Sequence, residues 1–449
     1  MTDVLQWGGR FDAAPDQALL RFASSLAEDL LLAPFDVACS QAHLHALEGG
    51  GIIDATRAQV LQRALDAVAE EISAGTFEAW ARSCGAEDIH GAIDARVREL
   101  APDDGEWLHA GRSRNDQVAT TLLLYCAARL RVARSLASQI VTQLLDAAET
   151  ELAAETLVAG TTHWQPAQPV LLAFWLVAAA EPFARDAARL HAAEALAMES
   201  CPLGSAALAG SSLPLDRNAA CASLGFKHPS RNAMDATGSR DRALDAAHAV
   251  AVAVSHASRV CEEIVLWCTP AFGYARLADE ASTGSSLMPQ KRNPDPFELI
   301  RGTAHDLIGR YAGALSATAS LALSYHRDLQ VVKRGVVEIL ESGIRALEAF
   351  AISLPRVHFV RERMNACAGE GYTVATDVAD ALIATGVSAR KAHERVGAAI
   401  RAAEPAGTSP DWPSARASVR GKLTAGSTNP QAVAESIAQL RTEMAAVST

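Results

Sequence analysis

The stretch NDQVATTLLLYCAARLRVARSLASQIVTQLLDAAETELAAETLVA, residues 115–159, runs for 45 residues without a glycine or a proline. Its apolar positions recur every seven residues. One row is Leu123, Leu130, Ala137 and Leu144; a second is Cys126, Ala133, Ile140, Ala147 and Ala154. Rows offset by three and four form the seam of a helix packed among others, and small alanines let neighbours come close. The spacing predicts one long helix, ending at Gly160.

Outward from it, Pro169 opens a second helical stretch through Val170–Ala180 and past Pro182, where a kink is expected. A third runs from Ser239 to Thr269 and stops at Pro270. A fourth begins near Pro296 and continues to about Ser324. A fifth covers Val331 to Leu354 and ends at Pro355. Five long helices in mid-chain predict an all-α fold built round a helical bundle. No sustained period-two alternation supports more than a minor sheet. Shorter helices flank the bundle, with a glycine break at Gly49-Gly50-Gly51 and linkers at Gly407–Pro413 and Gly426–Pro430. Three helical domains are expected: residues 1–110, a central long-helix bundle at 111–360, and a small C-terminal domain at 361–449.

Composition agrees. Of 449 residues, 49% are hydrophobic and 20% charged, which excludes a disordered or collagen-like chain. Aromatics are only 5%, so helix is favoured over sheet. A net charge of −12 argues against nonspecific nucleic-acid or acidic-membrane binding. The eight cysteines form no CxxC pair and suit free thiols in a reducing cytosol. The opening residues, MTDVLQWGGRF, lack a basic region followed by an apolar one, so no signal peptide is expected. The longest apolar run, Val170–Ala180, falls short of the ~20 residues a membrane span needs. A cytoplasmic protein with no nucleic-acid or membrane partner is expected.

Three polar segments interrupt the helices. Gly111-Arg112-Ser113-Arg114-Asn115-Asp116-Gln117 precedes the longest one; arginine forks beside exposed N–H groups suit a carboxylate, although solvated arginines beside an N-cap fit equally. Gly160-Thr161-Thr162-His163-Trp164-Gln165-Pro166 reads as a turn between two long helices. Its histidine suits a general acid or base, or else a structural hydrogen bond. The third segment, Gly284-Ser285-Ser286-Leu287-Met288-Pro289-Gln290-Lys291-Arg292-Asn293-Pro294-Asp295-Pro296, has too much glycine and proline for regular helix. It reads as a lid carrying a hydroxyl and a cation over an anion, or as a surface loop.

The third segment resembles the signature loop of the fumarase/aspartase superfamily, GSSxMPxKxN. Within that superfamily the chain is most similar to the argininosuccinate lyase family. The supporting residues are Trp7-Gly8-Gly9-Arg10-Phe11, Glu87-Asp88-Ile89-His90, Gly111 to Thr120, Gln165 to Pro169, Tyr325, Asp328, Gln330, Lys333 and Ala375-Thr376-Asp377. The resemblance implies a small-molecule substrate, L-argininosuccinate, cleaved to L-arginine and fumarate in the last step of arginine biosynthesis, with no metal or organic cofactor. It gives Ser285 as base within the loop 282–296 and His163 as the group serving the leaving nitrogen. Glu298 would make His163 more basic. Lys291 and Asn293 would stabilise the dianionic intermediate. It further implies substrate contacts at Ser25, Asp29, Asp88, Arg114, Asn115, Thr162, Tyr325, Gln330 and Lys333.

The chain departs from the family pattern at Leu31, Ala110, Thr161 and His326, near regions that grip the amino-acid end of the substrate. A related carbon–nitrogen lyase releasing fumarate from another N-substituted aspartate therefore stays open, as does a non-catalytic, crystallin-like relative. Assembly follows from length. A helix of 45 residues spans ~65 Å, with the Arg114 segment at one end and His163 at the other. Both would touch one substrate only if different subunits supply them, so a homotetramer with shared active sites is expected, as in the family.

Overall fold

The computed structural model describes residues 16–406 and 410–447. The Trp7–Phe11 motif, the opening residues and Gly407–Ser409 of the first C-terminal linker lie outside the described residues.

The fold is all-α. The five long helices are Arg114–Ala153, Leu172–Ala197, Asp241–Trp267, Asp295–Thr318 and Leu329–Ser353. Along the first, Leu123, Cys126, Leu130, Ala133, Ala137, Ile140 and Leu144 are all buried, so the rows form its packed seam that far; Ala147 is only half-buried, and Ala154 is exposed beyond the helix end. Pro182 sits inside the second helix. The described residues form two compact units, each drawn from three stretches. One takes 16–132, Arg189–Ala251 and Asp306–Ile344; the other takes Ala133–Ala188, Val252–His305 and, as its third stretch, 345–406 with 410–447. Every long helix contributes residues to both. In the first unit, Cys39, Leu123, Ala127, Leu203 and Phe226 share a core. In the second, Phe183 stacks on Phe350 at 5.7 Å between ring centroids, and Phe297 meets Phe350 edge-on at 6.4 Å.

One expectation fails. The longest helix stops at Ala153, and the turn expected between two helices is a β-hairpin. Strand β1 (Leu157–Thr162) pairs antiparallel with β2 (Gln165–Leu171), and the next helix starts at Leu172 rather than at Pro169. Tertiary contacts end the helix. Glu155 adopts a left-handed φ of 46°, held by Arg416 and Arg420. The Thr156 hydroxyl turns back to Glu151 at 2.6 Å, and the Leu157 N–H donates to Asn365 Oδ1 at 2.8 Å. Local helix propensity is weak beside such anchors. Pro166 and Pro169 are tolerated in β2 because a two-stranded ribbon leaves one side of each strand unpaired. Two further two-stranded pairs, Ser200–Cys201 with His228–Pro229 and Ala275–Leu277 with Val357–Phe359, complete the minor sheet content of the described residues.

All eight cysteines are free. Among the described residues, no helix is long and apolar enough to cross a membrane.

Candidate active site

Eight of the substrate-contact residues expected from the sequence lie in the first unit. Ser25 is fixed by its N–H on the Glu87 carbonyl at 2.8 Å, and its hydroxyl donates to Asp29 at 2.6 Å. Lys333 Nζ lies 2.5 Å from the other Asp29 oxygen and 3.3 Å from Ser25 Oγ. All three side chains are buried. Burial of the pair strengthens its attraction but leaves either charge stranded if the other is removed. One turn earlier on the Lys333 helix, Gln330 donates to the Ala23 carbonyl at 3.0 Å.

Asp88 caps the helix Ile89–Leu100 by accepting from Gly91 N at 2.7 Å, and its second oxygen faces Arg114 Nε at 3.2 Å. Asn115, next to Arg114 at the start of the longest helix, donates to the Ala207 carbonyl at 3.1 Å. Burial raises the Tyr325 phenol's pKa, and Arg327, Arg240, Asp88 and Glu87 all act on it, so Tyr325 shares this corner. Arg327, which the sequence reading passed over, donates to the Ala23 carbonyl and faces Glu87 at 3.5 Å.

Two imidazoles lie close to the same motif. His43 is fully buried, with Nε2 2.9 Å from the Ala110 carbonyl and Nδ1 unpartnered among the described residues. Burial and the Arg112 charge hold His43 well below its ordinary pKa of 6.5, and hold His109 at about 4. Both are therefore neutral in the fold near neutrality. On unfolding they bind protons from 6.5 downward, so the unfolded chain binds more protons between 6.5 and about 4, and stability falls with pH through that window. The melting temperature is expected to drop between pH 7 and pH 5, and His43→Gln is expected to flatten that slope. An unchanged slope in the variant would remove His43 from the explanation.

The second unit carries Thr162, Asn293 and the four expected catalytic residues. Thr162 and Gln165 pair across the hairpin end, leaving His163 and Trp164 as a two-residue turn. Both have left-handed backbones, φ 53° and 60°. This turn needs positive φ at both positions, a role usually given to Asn-Gly. A left-handed residue with a side chain is unfavourable by ~1–2 kcal/mol, so the hairpin holds His163 at its tip against local preference. The histidine is exposed.

The signature loop is closed at its neck. Thr283 and Asn293 exchange both backbone hydrogen bonds, at 3.1 and 2.8 Å. Arg292 anchors the neck by donating to the Leu277 carbonyl at 2.9 Å and to Asp279. Inside the loop, Ser285 Oγ accepts from the N–H groups of Leu287 and Met288 at 3.2 and 3.1 Å. Two N–H groups aimed at one hydroxyl oxygen favour its ionised form. Lys291 is exposed, and Glu298 is exposed in the first turn of Asp295–Thr318. Leu287 is 83% exposed, an apolar tip that its own unit leaves uncovered. Among the described residues, no hydrogen bond or ion pair joins Ser285, His163, Lys291 and Glu298 to one another. The His163–Glu298 contact implied by the resemblance is not formed within this one chain.

A family model described as lyase matches residues 9–309, and one described as argininosuccinate lyase C-terminal matches residues 372–417. The structure of an EDDS lyase variant with bound fumarate superposes with a TM-score of 0.81 at 24% identity, covering 97% of this chain and 92% of that one. A class II fumarase from Schistosoma mansoni superposes at 0.74 with 14% identity, covering 90% of each chain. The matched family model and the signature loop thus define a lyase of the fumarase/aspartase superfamily. The argininosuccinate lyase of Thermus thermophilus is 42% identical over 395 residues, 88% of this chain and 85% of that protein. That of Hyphomonas neptunium is 38% identical over 456 residues, 97% of each. The chain belongs to the argininosuccinate lyase family.

Proposed function

We propose that this chain cleaves L-argininosuccinate to L-arginine and fumarate by β-elimination, in a reducing cytoplasm, as a homotetramer whose active sites are shared between subunits. The observation that carries the chemistry is the Ser285 oxygen, which accepts two backbone N–H groups in a loop that also bears Lys291. A serine hydroxyl is too weak an acid to act as a base in water. Fixed donors, a nearby cation and a desolvated lid make its alkoxide accessible.

The alkoxide takes the proton from the carbon beside a succinyl carboxylate, and the electron pair moves onto that carboxylate as a dianionic aci-form. Lys291 and Asn293 stabilise this charge as it develops. Collapse of the intermediate forms the carbon–carbon double bond and breaks the carbon–nitrogen bond. His163, made more basic by Glu298, delivers the proton the leaving nitrogen needs, and Thr162 helps hold the substrate beside it. The first-unit cluster of Ser25, Asp29, Asp88, Arg114, Asn115, Tyr325, Gln330 and Lys333 grips the substrate. The segment 111–360, which contains every long helix, serves as the assembly core between end domains 1–110 and 361–449.

Sharing between subunits is supported by length. Arg114 opens a helix of 40 residues, and β1 begins only after that helix ends. Such a helix runs about 60 Å, far more than one substrate bridges.

The test is a substrate panel on the purified chain, with fumarate followed by its ultraviolet absorbance. Argininosuccinate is expected to release fumarate faster than any other N-substituted aspartate offered at equal concentration. Preference for another member of the panel would assign the chain to a sister activity, in keeping with Leu31 standing half exposed where the family carries arginine. No fumarate from any member would leave a non-catalytic relative.

A further inference from the structure

Arg114 is held by more than Asp88. Its Nη1 donates to Gln117 Oε1 at 2.9 Å. Gln117 is 1% exposed, and the other end of its amide donates to both oxygens of Asp36, at 2.8 and 3.1 Å. Asp36 is 0% exposed. It also accepts from the Thr121 hydroxyl at 3.2 Å and faces His90 Nδ1 at 2.7 Å. Gln117 and His90 lie in the sequence motifs but were given no role there, and Asp36 lies in no motif.

The chemistry of the donors fixes the arrangement. Burial would raise the Asp36 pKa, but His90, with Arg112 and Arg114, outweighs it and holds the carboxyl at about 2. An ionised carboxylate only accepts hydrogen bonds, so it admits only the NH2 end of the Gln117 amide. The amide oxygen is then forced toward Arg114. A flipped amide would set oxygen against carboxylate and NH2 against guanidinium, losing two charge-assisted bonds at once. A buried acid thus dictates, through one amide, where the arginine fork points. His90 and Thr121 hold the acid from the remaining sides, so its position is over-determined.

We propose that Asp36 is a positioning residue for substrate binding: through the Gln117 amide it locks the Arg114 guanidinium in the orientation that receives a substrate carboxylate. This rests on the reading of Arg114 as a substrate contact. It places the origin of that contact's geometry on the helix Ala33–Gly49 of the same unit. A pre-oriented fork binds its anion without an ordering penalty, so loss of the relay should appear in affinity more than in turnover.

The experiment compares Gln117→Met, Asp36→Asn, Arg114→Lys and the double variants of Arg114→Lys with each of the first two, by steady-state kinetics on the substrate that the panel identifies. Gln117→Met removes the relay but leaves Asp36 with His90 and Thr121, so it remains informative if Asp36→Asn does not fold. Gln117→Met is expected to raise KM about ten- to a hundredfold, the range set by one hydrogen bond to a charged group, with kcat within about threefold of wild type. In the Arg114→Lys background the same change should add little, because the two act through one contact. An unchanged KM in Gln117→Met, a loss confined to kcat, or effects that multiply fully in the double variant would overturn the proposal. If Arg114→Lys alone leaves KM unchanged, the reading of Arg114 fails instead, which separates the two claims.

Discussion

Ser285→Ala is expected to lower kcat by at least ~10²-fold, the lower end of what a general base contributes. Thermal unfolding and substrate affinity should stay close to wild type. The loop geometry motivates both halves of the expectation. The hydroxyl oxygen is the acceptor for Leu287 N and Met288 N, so its removal frees two N–H groups that remain within reach of water. No core contact is lost, because the loop around it is exposed. Residues that act as a unit lose more than their share when one is removed, so the fall can exceed the simple range. Stopped-flow or steady-state fumarate release measures it. A variant that retains more than about a tenth of wild-type turnover, a loss below ~1.4 kcal/mol, would show that another group takes the proton.

Lys291→Met should be equally severe and should not yield to added substrate. In the proposed mechanism Lys291 meets a carboxylate with one negative charge in the ground state and two in the aci-intermediate. Its attraction therefore grows along the reaction, and an interaction stronger in the transition state than in the ground state is read in kcat. Removing one preorganised donor to a developing oxyanion typically slows turnover ~10²–10³-fold. The measurement is the split between kcat and KM at saturating substrate. A normal kcat with a raised KM would make Lys291 a ground-state anchor and move the stabilising role to Asn293 and the loop N–H groups.

The long helices were legible because burial follows a seven-residue rhythm that a sequence displays directly. Leu130, Ala137 and Leu144 look the same on paper and in the core. The hairpin was not legible, for two reasons. Its turn is His163-Trp164 rather than the Asn-Gly or Asp-Gly pair that marks such a hairpin, so the usual turn signal was missing. The helix before it ends because Thr156 and Leu157 are claimed by Glu151 and Asn365, the latter more than 200 residues away, which no local pattern records. The loop was legible as irregular chain from its prolines, and its superfamily from its motif. The acid beneath Arg114 was hidden for a different reason. Asp36 is the one polar residue in the apolar run 30–39, and its meaning appears only where Gln117 and His90 converge on it.

The central claim is that the two proposed halves of the active site, represented by Asn115 at the start of the 40-residue helix and His163 on the hairpin that follows it in sequence, work only when different subunits supply them. The measurement is complementation. Asn115→Leu and His163→Asn chains, each inactive alone, are unfolded together in equal amounts, refolded, and verified as mixed tetramers before fumarate release is assayed. With shared sites and random assembly, about a quarter of the sites draw an intact Asn115 and an intact His163 from different chains, so activity should return to that order. No recovery in verified mixed tetramers, or full activity of the wild-type chain as an isolated monomer, would contradict it.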